Sequence, residues 1–242
     1  MSGDLRAART ALDAATALVG EDPREAELAR WFGGFVLLQE GRAAEAVADL
    51  GRCRTAAAAR DDAWAEGGSA LLSAFAHLAL GDADAGRAAC TAAIRILGPL
   101  GDAWALQHAE AALGRIAAAQ GRLVDAARHH ARAAESAATL GFAGAAALHR
   151  ANLGRVQHEA GDPAAGDTLR GALADAERAG DLRLLAGTRV ALARVLLPAG
   201  DRPAARELLE AADRWYTASG AGDDAPVAAG LLADMEGPPP SL

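Results

Sequence analysis

The sequence predicts an all-α protein built from a repeated pair of antiparallel helices. Three observations carry this. Alanine and leucine dominate, with 69 and 32 residues, whereas isoleucine occurs three times and aromatics nine times. Val, Ile and Thr are too sparse for a sheet protein, and Ala and Leu are strong helix formers. A glycine followed by Arg or Asp recurs at Gly41-Arg42, Gly81-Asp82, Gly121-Arg122, Gly161-Asp162 and Gly200-Asp201, at spacings of 40, 40, 40 and 39. A second break falls midway, at Asp61-Asp62, Gly101-Asp102, Gly141-Phe142, Gly180-Asp181 and Gly220. Glycine stops a helix and Asp or Pro starts the next, so each unit is cut into two helices.

The elements follow in order. A half repeat occupies 3–20, with a helix from about Asp4 to Val19. Full repeats occupy 21–60, 61–100, 101–140, 141–179 and 180–219. A terminal helix runs over 223–235, and 237–242 is a disordered tail closed by Pro238 to Pro240. That makes about twelve helices in one array over 1–236. Pro23, Pro163, Pro203 and Pro226 fall in turns or first helical turns, Pro99 in a turn and Pro198 in a last turn. None breaks a helix interior. The first helix carries Ala8, Leu12 and Ala15 at second-helix positions, so the chain is expected to begin half-way through a repeat. Such an end needs a cap. It is expected to be supplied by the rest of a longer regulator or by a homodimer through the N-terminal face.

Small residues keep a fixed registry. Seven before each turn glycine stand Gly34, Ala74, Gly114, Gly154 and Ala193; five after it stand Ala46, Gly86, Ala126, Gly166 and Ala205. Helices that cross closely need small residues at the crossing. Leu113, Leu153 and Leu192 precede three of the small sites as core anchors, whereas Gly33 and Ser73 depart from that pattern.

This registry resembles the tetratricopeptide repeat (TPR). Leu113-Gly114 and Leu153-Gly154 resemble that family's Leu-Gly pair, and Ala126 and Ala133 its second-helix alanines. The usual period is 34, so a period of 40 lengthens both helices by about a turn. HEAT and armadillo arrays share the longer period but give no reason for the registry. The resemblance implies a right-handed TPR-like helical-repeat solenoid. Gly101 to Trp104, the lysine-free composition and the stretch Arg214 to Asp224 resemble the C-terminal repeat region of actinobacterial ATPase/LuxR-type or antibiotic-regulator-type transcriptional regulators. That resemblance implies a protein-interaction or sensor module. The ATP- and DNA-binding roles of such regulators do not transfer. A chain without lysine has no phosphate-loop Gly-Lys pair, and no basic recognition helix is visible.

The composition excludes further classes. Net charge is −8 and every basic residue is arginine, which argues against direct nucleic-acid binding. No run of about 18 apolar residues suggests a membrane span. Cys53 and Cys90 form no disulfide framework, and a reducing cytoplasm is expected. No cofactor, metal or catalytic set is expected. His129 and His130 point apart, His149 and His158 share a face poorly, and Asp125 with His129 reads as a surface pair. Cys90 and His130 occupy equivalent second-helix positions, where burial is expected.

The expected site lies on the first helix of each repeat. Positions 17, 13, 10, 6 and 2 before the turn glycine share one helical face. They place Trp31, Phe35, Trp64, Phe75, Trp104, His108, Arg115, Arg155 and Arg194 in a groove on the concave side. Arginine forks bind carboxylates bidentately, and tryptophan and arginine dominate binding hot spots. The expected partner is an acidic, partly apolar protein segment; the alternatives are a small anionic ligand or an oligomerisation scaffold. Solvated arginines and packing tryptophans are the competing structural explanation.

Overall fold

The computed structural model describes residues 9–12, 14, 23–220 and 225–236; side chains are not described for 23, 24, 26, 27 and 236. The described residues form eleven helices besides the helical residues 9–12 and 14. They are α1 (Pro23–Gln39), α2 (Ala43–Ala58), α3 (Ala63–Ala79), α4 (Ala83–Leu97), α5 (Ala103–Ala119), α6 (Leu123–Thr139), α7 (Ala143–Glu159), α8 (Ala165–Ala179), α9 (Leu182–Leu196), α10 (Arg202–Ser219) and α11 (Ala225–Glu236). The all-α, TPR-like architecture therefore stands. The tail 237–242, Asp223-Asp224 and most of the half repeat lie outside the described residues.

The turns obey the sequence punctuation. Nine glycines, Gly41, Gly81, Gly101, Gly121, Gly141, Gly161, Gly180, Gly200 and Gly220, have φ between 63° and 86°. A residue without Cβ enters this region at no steric cost. Aspartates cap the helices that follow. Asp62, Asp82, Asp102 and Asp181 accept from the backbone N–H three residues on, at 2.9–3.1 Å. Each such cap satisfies one orphan donor. Asp162 accepts instead from Ala164 N, two residues on, because Pro163 delays the start of α8.

The chain divides into two units, Met1–Ile116 and Ala117–Leu242. In the first, α1 packs on α2 and α3 on α4. Two crossings are close, one at Gly34 of the registry and one at Gly67 outside it. A Cβ on Gly34 would lie 2.7 Å from Leu50 Cγ, and one on Gly67 2.4 Å from Leu97 Cγ. Gly33 does not anchor the core; a Cβ there would meet Leu12 at 3.6 Å, so its bareness admits the preceding helical residues. Leu50, Cys53, Ala74 and Cys90 are fully or almost fully buried.

In the second unit, α7 packs on α6 and α8, and α9 on α8 and α10. A Cβ on Gly154 would lie 2.6 Å from Leu169 Cγ. Leu169, Val190, Leu192, Leu209 and Tyr216 form its largest buried cluster, and Met235 of α11 joins it. His130 is buried at the position equivalent to Cys90. Leu113 of the first unit and Leu192 of the second are buried anchors, and Leu153 is half-buried.

Candidate functional site

The first helices of three successive repeats, α1, α3 and α5, bound a groove of about 610 Å³ in the first unit. Trp31, Phe35, Phe75, Trp104, His108 and Arg115 all line it. These six come from the helical face expected to carry binding. Residues that repeat at i, i+4 and i+7 stack on one side of a helix, which lets these six share one wall.

The walls are apolar and exposed. Phe35 is 47% and Trp104 46% exposed, values large enough to place both rings in solvent rather than in the core. The Trp104 and His108 rings meet edge-on at 4.5 Å between centroids, and Phe75 meets His108 edge-on at 6.4 Å. Burial beside these rings pushes the His108 imidazole below the ordinary histidine range, because desolvation disfavours its charged form. The permanent positive charge in the groove is therefore the exposed Arg115 guanidinium.

Four wall residues lie outside the expected stripe: Phe32, Leu38, Leu72 and Leu78. Phe32 is 49% exposed and packs edge-on against Trp31 at 5.2 Å. The sequence does carry a signal for it, since Phe32, Phe35 and Gln39 share i, i+3, i+7 spacing. A strict five-position stripe is too narrow to include it.

Trp64 lies elsewhere. It lines a separate cavity of the same unit, together with Trp31, Asp62 and Leu100. The reason is a contact with the next repeat: its Nε1 donates to Asp102 Oδ2 at 3.1 Å, which turns the ring toward the α4–α5 connection. Arg155 and Arg194 belong to the second unit. There they line one cavity of about 550 Å³ with His158, Val190, Leu197 and Leu231. Arg155 donates to Asn152 Oδ1 at 3.2 Å.

Other titratable groups have structural settings. Burial, with a smaller contribution from the Glu110 charge, pushes the Cys90 thiol up to about 12. Asp125 accepts from Arg122 at 3.0 Å and from Arg128 at 2.8 Å. His149 is buried, whereas His158 faces the second-unit cavity. Among the described residues no group of three or more His, Cys, Asp or Glu is placed to hold a metal ion. No described helix is long and apolar enough to cross a membrane.

No protein-family model matches the chain, and no curated protein matches it. Solved structures do. BtubC (BKLC) from P. vanneervenii is similar over 90% of this chain and 91% of its own, with a TM-score of 0.76 and 20% identity. A Rap protein complexed with competence and sporulation factor is similar over 96% of this chain and 71% of its own, with a TM-score of 0.66 and 13% identity. A signal transduction ATPase with numerous domains and a tetratricopeptide repeat sensor, from Pyrococcus horikoshii, matches 81% of this chain through 30% of its own, with a TM-score of 0.71 and 15% identity. At these identities the likeness concerns the fold: the chain has the architecture of the TPR-like helical-repeat proteins.

Proposed function

We propose that this chain is a non-catalytic repeat module that docks an acidic, partly apolar segment of a partner protein. The observation that carries the proposal is the first-unit groove, where Phe35, Phe75 and Trp104 stand beside Arg115. Aromatic walls offer large, rigid contact area, and a guanidinium selects carboxylates in a fixed geometry. The Rap complex and the tetratricopeptide sensor of the Pyrococcus ATPase support a sensing or docking role for this fold. The likeness of Arg214 to Asp224 to regulator repeat regions favours a module that serves a bacterial transcriptional regulator.

The test is selection from a displayed peptide library. The expected winners combine Asp or Glu with Leu, Phe or Trp. Arg115→Glu should reverse the charge preference, and Phe35→Ala should weaken all winners by about tenfold or more. Both positions are exposed, so both variants should fold. A selection that yields no winners, or winners indifferent to both changes, rejects the groove as a docking site.

A second reading has its own observation. Arg155, Arg194 and His158 share one cavity with apolar walls in the second unit, which suits a small carboxylate or phosphate ligand. A melting-temperature rise with citrate or phosphate, lost in Arg194→Glu, is the expected result.

A further inference from the structure

We propose that the cavity lined by Trp31 and Trp64 binds a small organic cation: an ammonium group carrying a hydroxyl or carboxylate acceptor. The cavity measures about 620 Å³, within the range of small-molecule sites. Asp61, Asp62, Trp31, Trp64 and Ser69 all line it.

The first argument is a backbone anomaly at one turn. Asp61 has φ of 55° and is the only non-glycine residue with positive φ among the described residues, whereas nine other turns use glycine there. An L-residue meets steric resistance in this region that glycine avoids. The one turn that accepts this cost is the one whose side chain borders an aromatic cavity. With Asp62 it sets two carboxylates against the Arg60 guanidinium among the described residues that line the same cavity, so that lining favours a cation.

The second argument is the pair of rings. Trp31 and Trp64 lie 6.0 Å apart between centroids and are tilted by 38°. At that spacing a cation sits over an outer indole face rather than between the rings, where the ring quadrupole attracts it. Trp64 is held in place by Asp102, whose Oδ2 accepts its N–H at 3.1 Å while Oδ1 caps α5 through Ala105 N at 3.0 Å. The other ring packs over Gly68, where a Cβ would lie in van der Waals contact with Trp31 Nε1 at 3.4 Å.

The third argument is independent of charge. Ser69 is 0% exposed and lines the cavity, and its hydroxyl has no hydrogen-bond partner among the described residues. The Trp31 indole N–H is likewise shielded from water and unpartnered among them. Buried donors are almost always satisfied. An orphaned hydroxyl at a cavity with two carboxylates suits one ligand with an acceptor at one end and an ammonium at the other.

The experiment is titration of the full chain with choline, ethanolamine and glycine betaine, followed by tryptophan fluorescence and calorimetry. The neutral carbon isostere of choline, 3,3-dimethylbutan-1-ol, is the control. Saturable binding of at least one cation is expected, with the isostere weaker by about tenfold or more. Asp61→Gly is the decisive variant. It should bind about tenfold more weakly and yet melt at a higher temperature than wild type, because glycine accepts the turn conformation freely. Trp64→Leu, at a 51% exposed position, should fold and bind more weakly. No saturable binding by any of the three cations overturns the proposal, as does equal binding of the isostere or undiminished binding by Asp61→Gly. Asp61 and Trp64 do not line the docking groove, so this result and the peptide selection can fail separately.

Discussion

The Trp104 indole and the His108 imidazole, one helical turn apart on α5, meet edge-on at 4.5 Å between ring centroids. The pair places a titratable group against an aromatic wall of the groove. Burial holds the His108 pKa below its ordinary value, so the native protein keeps this ring neutral near neutrality. The unfolded chain takes up the proton first as pH falls. Stability contributed by neutral His108 is therefore present above the unfolded pKa of about 6.5, and is lost as pH falls from there through the folded pKa. Thermal unfolding across this window should show a slope toward lower stability in acid. In His108→Leu that slope should shrink. An unchanged slope would assign the acid sensitivity to other groups.

Helix crossings in both units predict a sharp asymmetry among glycines. Gly67→Ala and Gly154→Ala place a methyl group 2.4 Å and 2.6 Å from the Cγ atoms of Leu97 and Leu169. Overpacking of this kind costs about 1–3 kcal/mol. Gly51 is also helical, but a methyl group added there would have nothing within 4 Å. Gly51→Ala should therefore stabilise by about 0.5–1 kcal/mol through helix propensity. Urea denaturation of the three variants checks both signs at once.

The buried leucines opposite these glycines predict the reverse defect. Leu50 is fully buried against Gly34. Leu50→Ala removes its side chain from a site that the bare glycine cannot refill, and should cost about 2–5 kcal/mol. Chemical denaturation gives the number. A loss well under about 1 kcal/mol would mean that α1 and α2 close over the gap.

Cys90 predicts a reactivity that reports unfolding. Its thiol is buried and pushed up to about 12, and Cys53 is buried as well. The thiolate is the reactive form. Both thiols should resist alkylation in the native protein at mildly alkaline pH and label only as fast as the chain opens. Rapid labelling of Cys90 without denaturant would contradict its burial.

Much of the fold was legible in the sequence because its signals are local. A glycine in the left-handed region, an aspartate three residues before a helical N–H and a small residue at a crossing each act within a few residues of their own position. Gly41, Asp82 and Gly154 therefore read the same in the chain as in the structure. The lining of the groove by Phe35, Phe75, Trp104, His108 and Arg115 was legible for a related reason: a 40-residue period carries one helical face through successive repeats. What local signals cannot encode is which neighbour a side chain turns toward. Trp64 had the spacing of a groove residue, but Asp102, 38 positions away, draws its indole into another cavity. Phe32, one residue past Trp31, entered the groove because the space between helices is wider than one stripe. Asp61 looked like an ordinary turn acid, and only the folded backbone gave it a positive φ beside two indoles. The repeat, its turns and the close crossing at Gly154 follow from signals within a few residues of each position. The tertiary structure decided how exposed rings and charges were shared among separate cavities, because that depends on contacts between residues far apart in the chain.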